Sequence, residues 1–547
     1  MSSTYYSNVN LFNFQQEMFR PLYWFGPAGT APGQSIYGPN KSLSLAKPPV
    51  YSDHNKVVTI TLNNYKWTNG EPVTSRDILF FMNLLKAEQG IWPVYVPGEF
   101  PANVTKMKID SAKQITFDLS GAYAPIWFTD NELSQITPFP QKAWDKTSAS
   151  GKIGNADMTT KGAKAVYAFL SKQASSPATY ASNPLWKVVD GPFTLKSFQT
   201  SGYTVFAANK KYSGPVKPKI STLTLEPFTT DTAEYNALRS GKLTYGYIPP
   251  QDASQKGLIE SQGYRVEPWI GWQINYIPYN HANKQVGPIF NQLYFRQAVQ
   301  ELVDQPVDIQ KAYYNYAVPT YGPVPSRPAS PLATKYEESN PYPYNPAKSA
   351  AALKAHGWNV KPGGTTTCAK PSLCGPGIKA GEPLTFNLQY ASGLTPVTQI
   401  MDQFKSALSQ YDGITLNLTQ APFNTVIANA VPCALEKGKC TWQLENWGGG
   451  WSYGPDFYPT GESIFETGSN INEGSYSDKE NDRLINLTHT QSGTAALHKY
   501  ENYLAKQLPV IWQPVQDSQI SAIKNTLQGV AQSPLLNFSP EYWYTTK

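Results

Sequence analysis

Residues 220–269 read ISTLTLEPFTTDTAEYNALRSGKLTYGYIPPQDASQKGLIESQGYRVEPW. This segment gives the main evidence for the fold class. Alternating apolar residues predict three strands. Between the strands, apolar residues recur at the spacing of a helix face. The predicted elements are strands 220–226, 243–248 and 264–269 and helices 232–240 and about 253–262. Strands that alternate with helices are typical of a parallel sheet with crossover helices, so we expect a βαβαβ unit here.

The same alternation recurs further along the chain. Strands are predicted at 384–390 and 414–418, with an apolar helix face between them. That face consists of Val397, Ile400, Met401, Phe404 and Leu408. Two α/β cores fit a length of 547 residues, because a single core stops growing near roughly 250 to 300 residues. We therefore expect two lobes that can close by a hinge, with a ligand-binding cleft between them.

The composition excludes several classes of protein. Hydrophobic residues make up 40% of the chain and aromatic residues 13%, which is enough for a packed interior. The net charge is +6 and the basic residues are scattered, so nucleic acid is not an expected partner. The longest apolar run, at 78–85, is far shorter than the roughly 18 residues that a membrane helix needs.

The four cysteines form two close pairs, Cys368 with Cys374 and Cys433 with Cys440. Two local disulfides are the simplest interpretation, and they favour a location outside the cytosol. Zinc binding and free thiols are the alternatives, although the spacings and the distant histidines fit zinc poorly. No metal site and no cofactor are expected. The first twenty residues lack a signal-peptide pattern, which indicates either a trimmed extracytoplasmic chain or a cytosolic one, and the disulfides favour the first.

Residues 66–77 read KWTNGEPVTSRD, in which Thr74 and Asp77 predict a capping box at the start of a helix over 74–89. The segment resembles the WxDGxPVTAxD signature of the dipeptide- and oligopeptide-binding family of solute receptors for ABC importers. Further segments resemble the family's markers in the same order along the chain. They are DGPF at 190–193, NKKY at 209–212, LRSGKL at 238–243, FRQAV at 295–299, YNPAKSAAALKAHGW at 344–358 and NWGGGWSYGPDFYP at 446–459.

The resemblance implies a two-lobed α/β clamshell like that of periplasmic binding proteins, of type II and of the large peptide-receptor subclass. In this fold an extra subdomain is inserted into the first lobe. The implied boundaries are 1–45, 185–272 and 509–547 for the first-lobe core, 46–184 for the inserted subdomain and 273–508 for the second lobe. The chain would cross between the lobes near Trp272 and return near Pro509.

The resemblance also implies a ligand-binding strip around residue 450. Trp447 and Trp451 would offer rings, and Gly449 and Gly450 would let the backbone approach a ligand closely. The alternative interpretation is a turn with Trp447 in the core. Gly450 stands where the family has an Asp for a peptide's ammonium group, and Asp456 is either its substitute or a turn cap. The other candidates are Tyr23, Trp24, Trp272, Asn275, Tyr276, Asn446 and Tyr453.

Two enzymatic interpretations compete with binding. Ser452 lies in a GxSxG pattern, but glycines precede it and prolines follow it, where a nucleophile elbow needs a strand and a helix. A secreted glycoside hydrolase needs two carboxylates in an aromatic cleft, and Asp456 and Glu462 are the pair to consider.

We therefore expect an extracytoplasmic, monomeric, non-enzymatic receptor in the periplasm or at the cell surface. It would capture short peptides and deliver them to the transmembrane subunits of an ABC permease. Oligosaccharides or another neutral oligomer are the alternative ligands. A lipid anchor on a missing N-terminal segment is left open.

Overall fold

A computed structural model of the chain describes residues 15–30, 34–435 and 440–547. Parts of the predicted first-lobe segment 1–45 therefore lie outside the described residues. The longer helices are Ser75–Ala87, Thr160–Ala174, Asp231–Arg239, Lys256–Ser261, Leu293–Gln300, Gln305–Lys311, Pro346–Ala355, Thr395–Asp412, Phe423–Asn429, Lys479–Thr490 and Ala495–Gln507. Among the described helices, none combines the length and the apolar composition that a membrane span requires.

The strands form four sheets of three or four strands and several two-stranded pairs. In spatial order the larger sheets are Val50–Ser52, Val57–Thr61, Gln114–Leu119 and Val104–Ser111; Phe193–Phe198, Thr204–Ala208 and Thr222–Leu225; Tyr245–Ile248, Gln519–Lys524 and Tyr264–Trp269; and Thr415–Ala421, Thr385–Ala391 and Leu444–Asn446. The pairs are Trp24–Phe25 with Pro39–Asn40, Gln273–Ile274 with Trp451–Ser452, Tyr276–Pro278 with Val510–Trp512, Ala317–Val318 with Val515–Gln516, Trp358–Asn359 with Thr367–Cys368, and Leu527–Gln528 with Tyr544–Thr545.

The capping box at the first long helix is confirmed. The Asp77 carboxylate accepts from the Thr74 backbone N–H at 2.8 Å, and the helix runs over Ser75–Ala87. The apolar residues Ile78, Phe81, Met82 and Leu85 of this helix are buried in the largest core cluster. The signature segment therefore starts and anchors this helix, as the sequence indicated.

The predicted parallel unit at 220–269 is wrong in its pairing. Thr222–Leu225 pairs antiparallel with Thr204–Ala208 and belongs to a different sheet. Tyr245–Ile248 and Tyr264–Trp269 do run in the same direction, but each pairs antiparallel with Gln519–Lys524, which lies between them. A strand from the end of the chain thus completes this sheet.

The second predicted unit is confirmed. Thr385–Ala391 pairs in parallel with Thr415–Ala421, from Thr385 opposite Thr415 to Ala391 opposite Ala421. The helix Thr395–Asp412 connects them, and its predicted face is buried. Leu444–Asn446 adds a third parallel strand on the other side of Thr385–Ala391 and leads directly into the glycine-rich strip.

The buried apolar residues fall mainly into two large clusters. One includes residues of the predicted insertion together with residues from Trp447 to Leu508, and the other surrounds the parallel sheet at 385–446. The pairing of Tyr276–Pro278 with Val510–Trp512 joins the predicted crossing and return of the chain. The division into 46–184 and 273–508 stays a prediction.

Both predicted disulfides are confirmed. Cys368 bonds to Cys374 with a Cα–Cα distance of 6.3 Å, and Cys433 bonds to Cys440 with one of 5.0 Å. The thiols are therefore not available as zinc ligands, which removes the zinc interpretation of these two pairs.

Candidate functional site

The strip, defined as residues 447–453, is fixed to the predicted crossing by a short antiparallel pairing. Ile274 lies opposite Trp451 and Gln273 lies opposite Ser452. The Tyr453 N–H extends this contact by donating to the Trp272 carbonyl at 3.0 Å. The strip therefore meets the chain where it passes between the two halves of the predicted clamshell.

The glycines of the strip have different roles. A Cβ on Gly450 would stand 2.4 Å from the Ile274 carbonyl oxygen, so Gly450 permits close contact with the crossing. Gly448 has φ +82°, and its carbonyl accepts from the Gln516 side chain at 2.6 Å. A Cβ on Gly449 would lie 3.8 Å from Trp447 Cδ1 and in no closer contact beyond the adjacent residues, so there is space beside this residue.

Gly449 also presents unused backbone groups. It is half-buried, and within the described residues no hydrogen bond joins its N–H or C=O to another residue. Asn446 shapes the turn before it, because its side-chain oxygen accepts from the Gly448 N–H at 2.8 Å. A ligand that carries its own donors and acceptors could pair with Gly449.

The two tryptophans of the strip differ in exposure. Trp447 is 8% exposed and packs edge-on against Tyr276, with ring centroids 5.8 Å apart. Trp451 is half-buried, and its Nε1–H donates to both carboxyl oxygens of Asp456, at 3.0 and 3.2 Å. Trp451 is therefore the more accessible of the two rings.

Asp456 is buried and turned toward the strip. Besides Trp451, the Gly454 N–H donates to it at 3.0 Å. Burial raises the pKa of Asp456 well above its usual range, and the nearby Glu462 raises it further. Local donors hold this side chain, as in the turn-cap interpretation.

The predicted residues of the crossing are brought against the strip. Trp272 stacks on Tyr37 with centroids 5.1 Å apart and donates from Nε1 to the Phe457 carbonyl at 3.1 Å. The Asn275 side-chain amide donates to the Pro514 carbonyl at 2.7 Å, while its Oδ1 is buried without a partner. Tyr453 is buried, and its hydroxyl donates to the Pro323 carbonyl.

Tyr23 and Trp24 are buried away from these contacts. The Tyr23 hydroxyl donates to the Lys47 carbonyl at 3.3 Å, and Trp24 packs in a small cluster with Ala28 and Leu43. Phe25 is the neighbour that reaches the loop after the strip, where it stacks on Phe457 with centroids 4.3 Å apart.

Sequence reasoning missed Phe25, Tyr37 and Gln516. The only available signal for Phe25 was its place beside the predicted aromatic pair.

A small, mainly polar cavity lies beyond the end of the strip. Its walls include Asp456 and Glu462 together with Glu99 and Glu132 from the predicted insertion. The carboxylate pair considered for a glycoside hydrolase therefore does share one cavity. Ser452 contacts no histidine among the described residues, since its hydroxyl donates to the Gln273 side chain at 3.2 Å.

Comparison with known proteins identifies the family. The profile of bacterial extracellular solute-binding proteins, family 5 Middle, matches residues 42–465. A relative from Brucella ovis that is named as an ABC transporter peptide-binding protein is 22% identical over 387 residues. The alignment covers 71% of this chain but 61% of the relative, so the chain spans about three fifths of the length of such relatives.

Two solved structures share the fold. The oligopeptide-binding protein AppA from Bacillus subtilis, in complex with a nonapeptide, gives a TM-score of 0.77 at 17% identity and covers 100% of this chain and 96% of its own. NikZ from Campylobacter jejuni, in complex with Ni(L-His), gives a TM-score of 0.69 at 16% identity and covers 99% of this chain and 96% of its own. The predicted periplasmic-binding-protein fold is confirmed.

Family 5 solute-binding proteins bind ligands and do not convert them, so the prediction of a non-enzymatic protein is also confirmed. This removes the hydrolase interpretation, although Asp456 and Glu462 do meet in one cavity. The chain belongs to family 5 of the bacterial extracellular solute-binding proteins, which are the binding proteins of ABC transporters.

Proposed function

We propose that this protein captures short peptides at the strip and delivers them to the transmembrane subunits of an ABC permease. The observation that carries the proposal is Gly449, which presents a half-buried and unpaired peptide group. A peptide ligand can donate to and accept from such a group as a neighbouring strand does. Trp451 offers a half-buried ring beside it, whereas Trp447 is buried in the core cluster, as in the alternative interpretation of the strip.

The names of two similar proteins support a peptide rather than an oligosaccharide. The strip is short of charged side chains, so recognition falls to backbone groups and rings. The relative from Brucella ovis is named for peptide binding, and AppA holds a nonapeptide. Asp456 is occupied by Trp451 and Gly454, so we do not assign it to the peptide's ammonium group.

The test is calorimetric titration of the purified protein with pools of dipeptides to pentapeptides and with pools of oligosaccharides. We expect one-to-one binding of peptides, an increase in thermal stability and no product. Binding of oligosaccharides alone would overturn the proposal. Mass spectrometry of material that co-purifies with the protein would identify a retained ligand directly.

A substitution at Gly449 locates the site. Gly449→Leu fills the space beside the strip without meeting protein atoms at its Cβ, so the fold should survive while the ligand is obstructed. We expect peptide affinity to fall by at least about tenfold, as for a residue at the centre of an interface. Gly154→Leu is the matched control, because Gly154 is exposed and also has open space at its Cβ. Equal affinities of the two variants would exclude the strip.

A further inference from the structure

A second cluster of polar side chains lies outside the strip and has no role in the proposed function. It consists of Glu99, Glu462, Glu466 and His489, and we call it the acidic cluster. One potential ligand atom from each of Glu99, Glu466 and His489 lies within 4.8 Å of the other two. Glu99 comes from the predicted insertion and the others from the segment after the strip, so the cluster joins distant parts of the chain.

His489 provides an observation independent of the carboxylates. Its side chain is 3% exposed, and its Nε2 is buried without a hydrogen-bond partner. Nδ1 lies 3.0 Å from Glu99 Oε1, and Nε2 lies 3.9 Å from Glu462 Oε2. The separation of 3.0 Å is a hydrogen-bond distance and that of 3.9 Å is too long for one, so Nε2 is the ring nitrogen left without a partner among the described residues.

The orientation of the imidazole is fixed by its surroundings. The Trp127 ring stacks on it at 4.0 Å with an interplanar angle of 15°. Trp127 also donates from Nε1 to Glu462 at 3.1 Å, and Asn131 donates to the same oxygen at 2.5 Å. The histidine and the carboxylate behind it are therefore held in place before any ligand arrives.

We propose that Glu99, Glu466 and His489 Nδ1 bind one divalent transition-metal cation, with Glu462 Oε2 behind the imidazole, 3.9 Å from His489 Nε2. Two ligands about 2.1 Å from a shared ion stand about 3.0 to 3.4 Å apart for angles between 90° and 109°, which suits the separation of Nδ1 and Glu99. One imidazole and two carboxylates form a donor set for ions such as Zn²⁺. A carboxylate behind a ligating histidine is the usual support for such a site.

The site would connect parts of the chain that are distant in sequence. A divalent cation held by Glu99, Glu466 and His489 would join the predicted insertion to the helix Lys479–Thr490.

The test is calorimetric titration of chelator-treated protein with zinc chloride in the absence of peptide. We expect one zinc ion per chain and a rise in the thermal midpoint. Glu466→Gln and Glu99→Gln should each weaken zinc binding by at least about tenfold. Both side chains are partly exposed, so these isosteric changes should fold, which circular dichroism would check. His489→Gln removes the nitrogen ligand and should abolish the visible absorption of cobalt-substituted protein.

His54→Gln is the matched control because His54 is an exposed histidine outside the cluster. It should bind zinc as the unchanged protein does. The inference is overturned if the protein binds no zinc, if Glu466→Gln binds it with unchanged affinity, or if His54→Gln loses it. Peptide binding by the zinc-free protein is measured separately, so failure of one proposal is distinguishable from failure of the other.

Discussion

The strip and the acidic cluster are formed largely by one stretch of chain, but they differ in the number of carboxyl groups that they bring together. The strip contains rings and peptide groups, and the titratable residue just before it, Glu445, has its pKa raised to about 8 by burial. It is therefore mainly neutral at pH 7. The acidic cluster gathers several carboxylates around one neutral imidazole.

This difference indicates what each region can bind. A neutral strip with an unpaired peptide group suits a ligand that offers its own backbone donors and acceptors. Clustered carboxylates around an imidazole lone pair suit a small cation. Three substitutions test whether the two regions differ in this way.

The largest effect is expected at Gly450. Gly450→Ala places a Cβ 2.4 Å from the Ile274 carbonyl and 2.8 Å from the Asn275 Cα, both of them backbone atoms. The pairing of the strip with the crossing must then shift, at an expected cost of about 3 kcal/mol in the free energy of unfolding. Urea denaturation would measure it. Gly449→Ala, one residue earlier, should change stability by less than about 0.5 kcal/mol. Similar losses in both variants would mean that the strip is not seated on the crossing.

A smaller effect is expected from Glu445→Gln, and it depends on pH. The folded state holds the proton of Glu445 up to about pH 8, whereas the unfolded chain releases it near its ordinary pKa of about 4.3. The contribution of Glu445 to the free energy of unfolding is therefore fully present below the pKa of the unfolded chain and is lost as the pH rises through 8. Between pH 5 and pH 9 the unchanged protein should lose at least about 1.4 kcal/mol more than the variant, which is the equivalent of one pKa unit.

Urea denaturation at the two pH values would measure this difference. Glu260→Gln removes an exposed carboxylate and should shift stability equally at both values. Parallel pH profiles for the unchanged protein and Glu445→Gln would show that Glu445 is already ionised, and the strip would then not be neutral.

The sequence predicted one α/β unit correctly. It predicted the wrong pairing for the other unit, because the strand that pairs with both of its strands lies far along the chain. Thr385–Ala391 and Thr415–Ala421 are connected by a single helix and pair directly with each other. The local alternation of strand and helix was therefore enough to predict their pairing. Tyr245–Ile248 and Tyr264–Trp269 have the predicted directions, but their shared partner Gln519–Lys524 arrives about 250 residues later. Local periodicity carries no information about such an insertion.

The candidate site divides in the same way. The contact of Trp272, Asn275 and Tyr276 with the strip was predictable only in part, because the sequence made both segments candidates for ligand binding but did not pair them with each other. The acidic cluster was not predictable, because its members are spread from residue 99 to residue 489 and form no motif of fixed spacing. Each carboxylate alone looks like an ordinary surface residue in the sequence. Only the tertiary fold brings the four together.

The smallest effect is expected from Trp451→Phe, which tests the residue that links the two regions. The change keeps an aromatic ring but removes the Nε1–H that donates to Asp456. Burial raises the pKa of Asp456, which favours its protonated form, so we expect the lost hydrogen bond to join neutral groups and to be worth about 1 kcal/mol. Trp442→Phe is the control, because its Nε1–H donates to a neutral acceptor, the Val431 carbonyl, at 3.0 Å. Urea denaturation of both variants should give similar losses.

If Trp451→Phe costs about 2 kcal/mol more than the control, Asp456 is ionised and the negative charge of the cavity extends to the strip. A peptide's ammonium group would then have a binding partner beside Trp451, and the contrast between a neutral and an acidic region would fail.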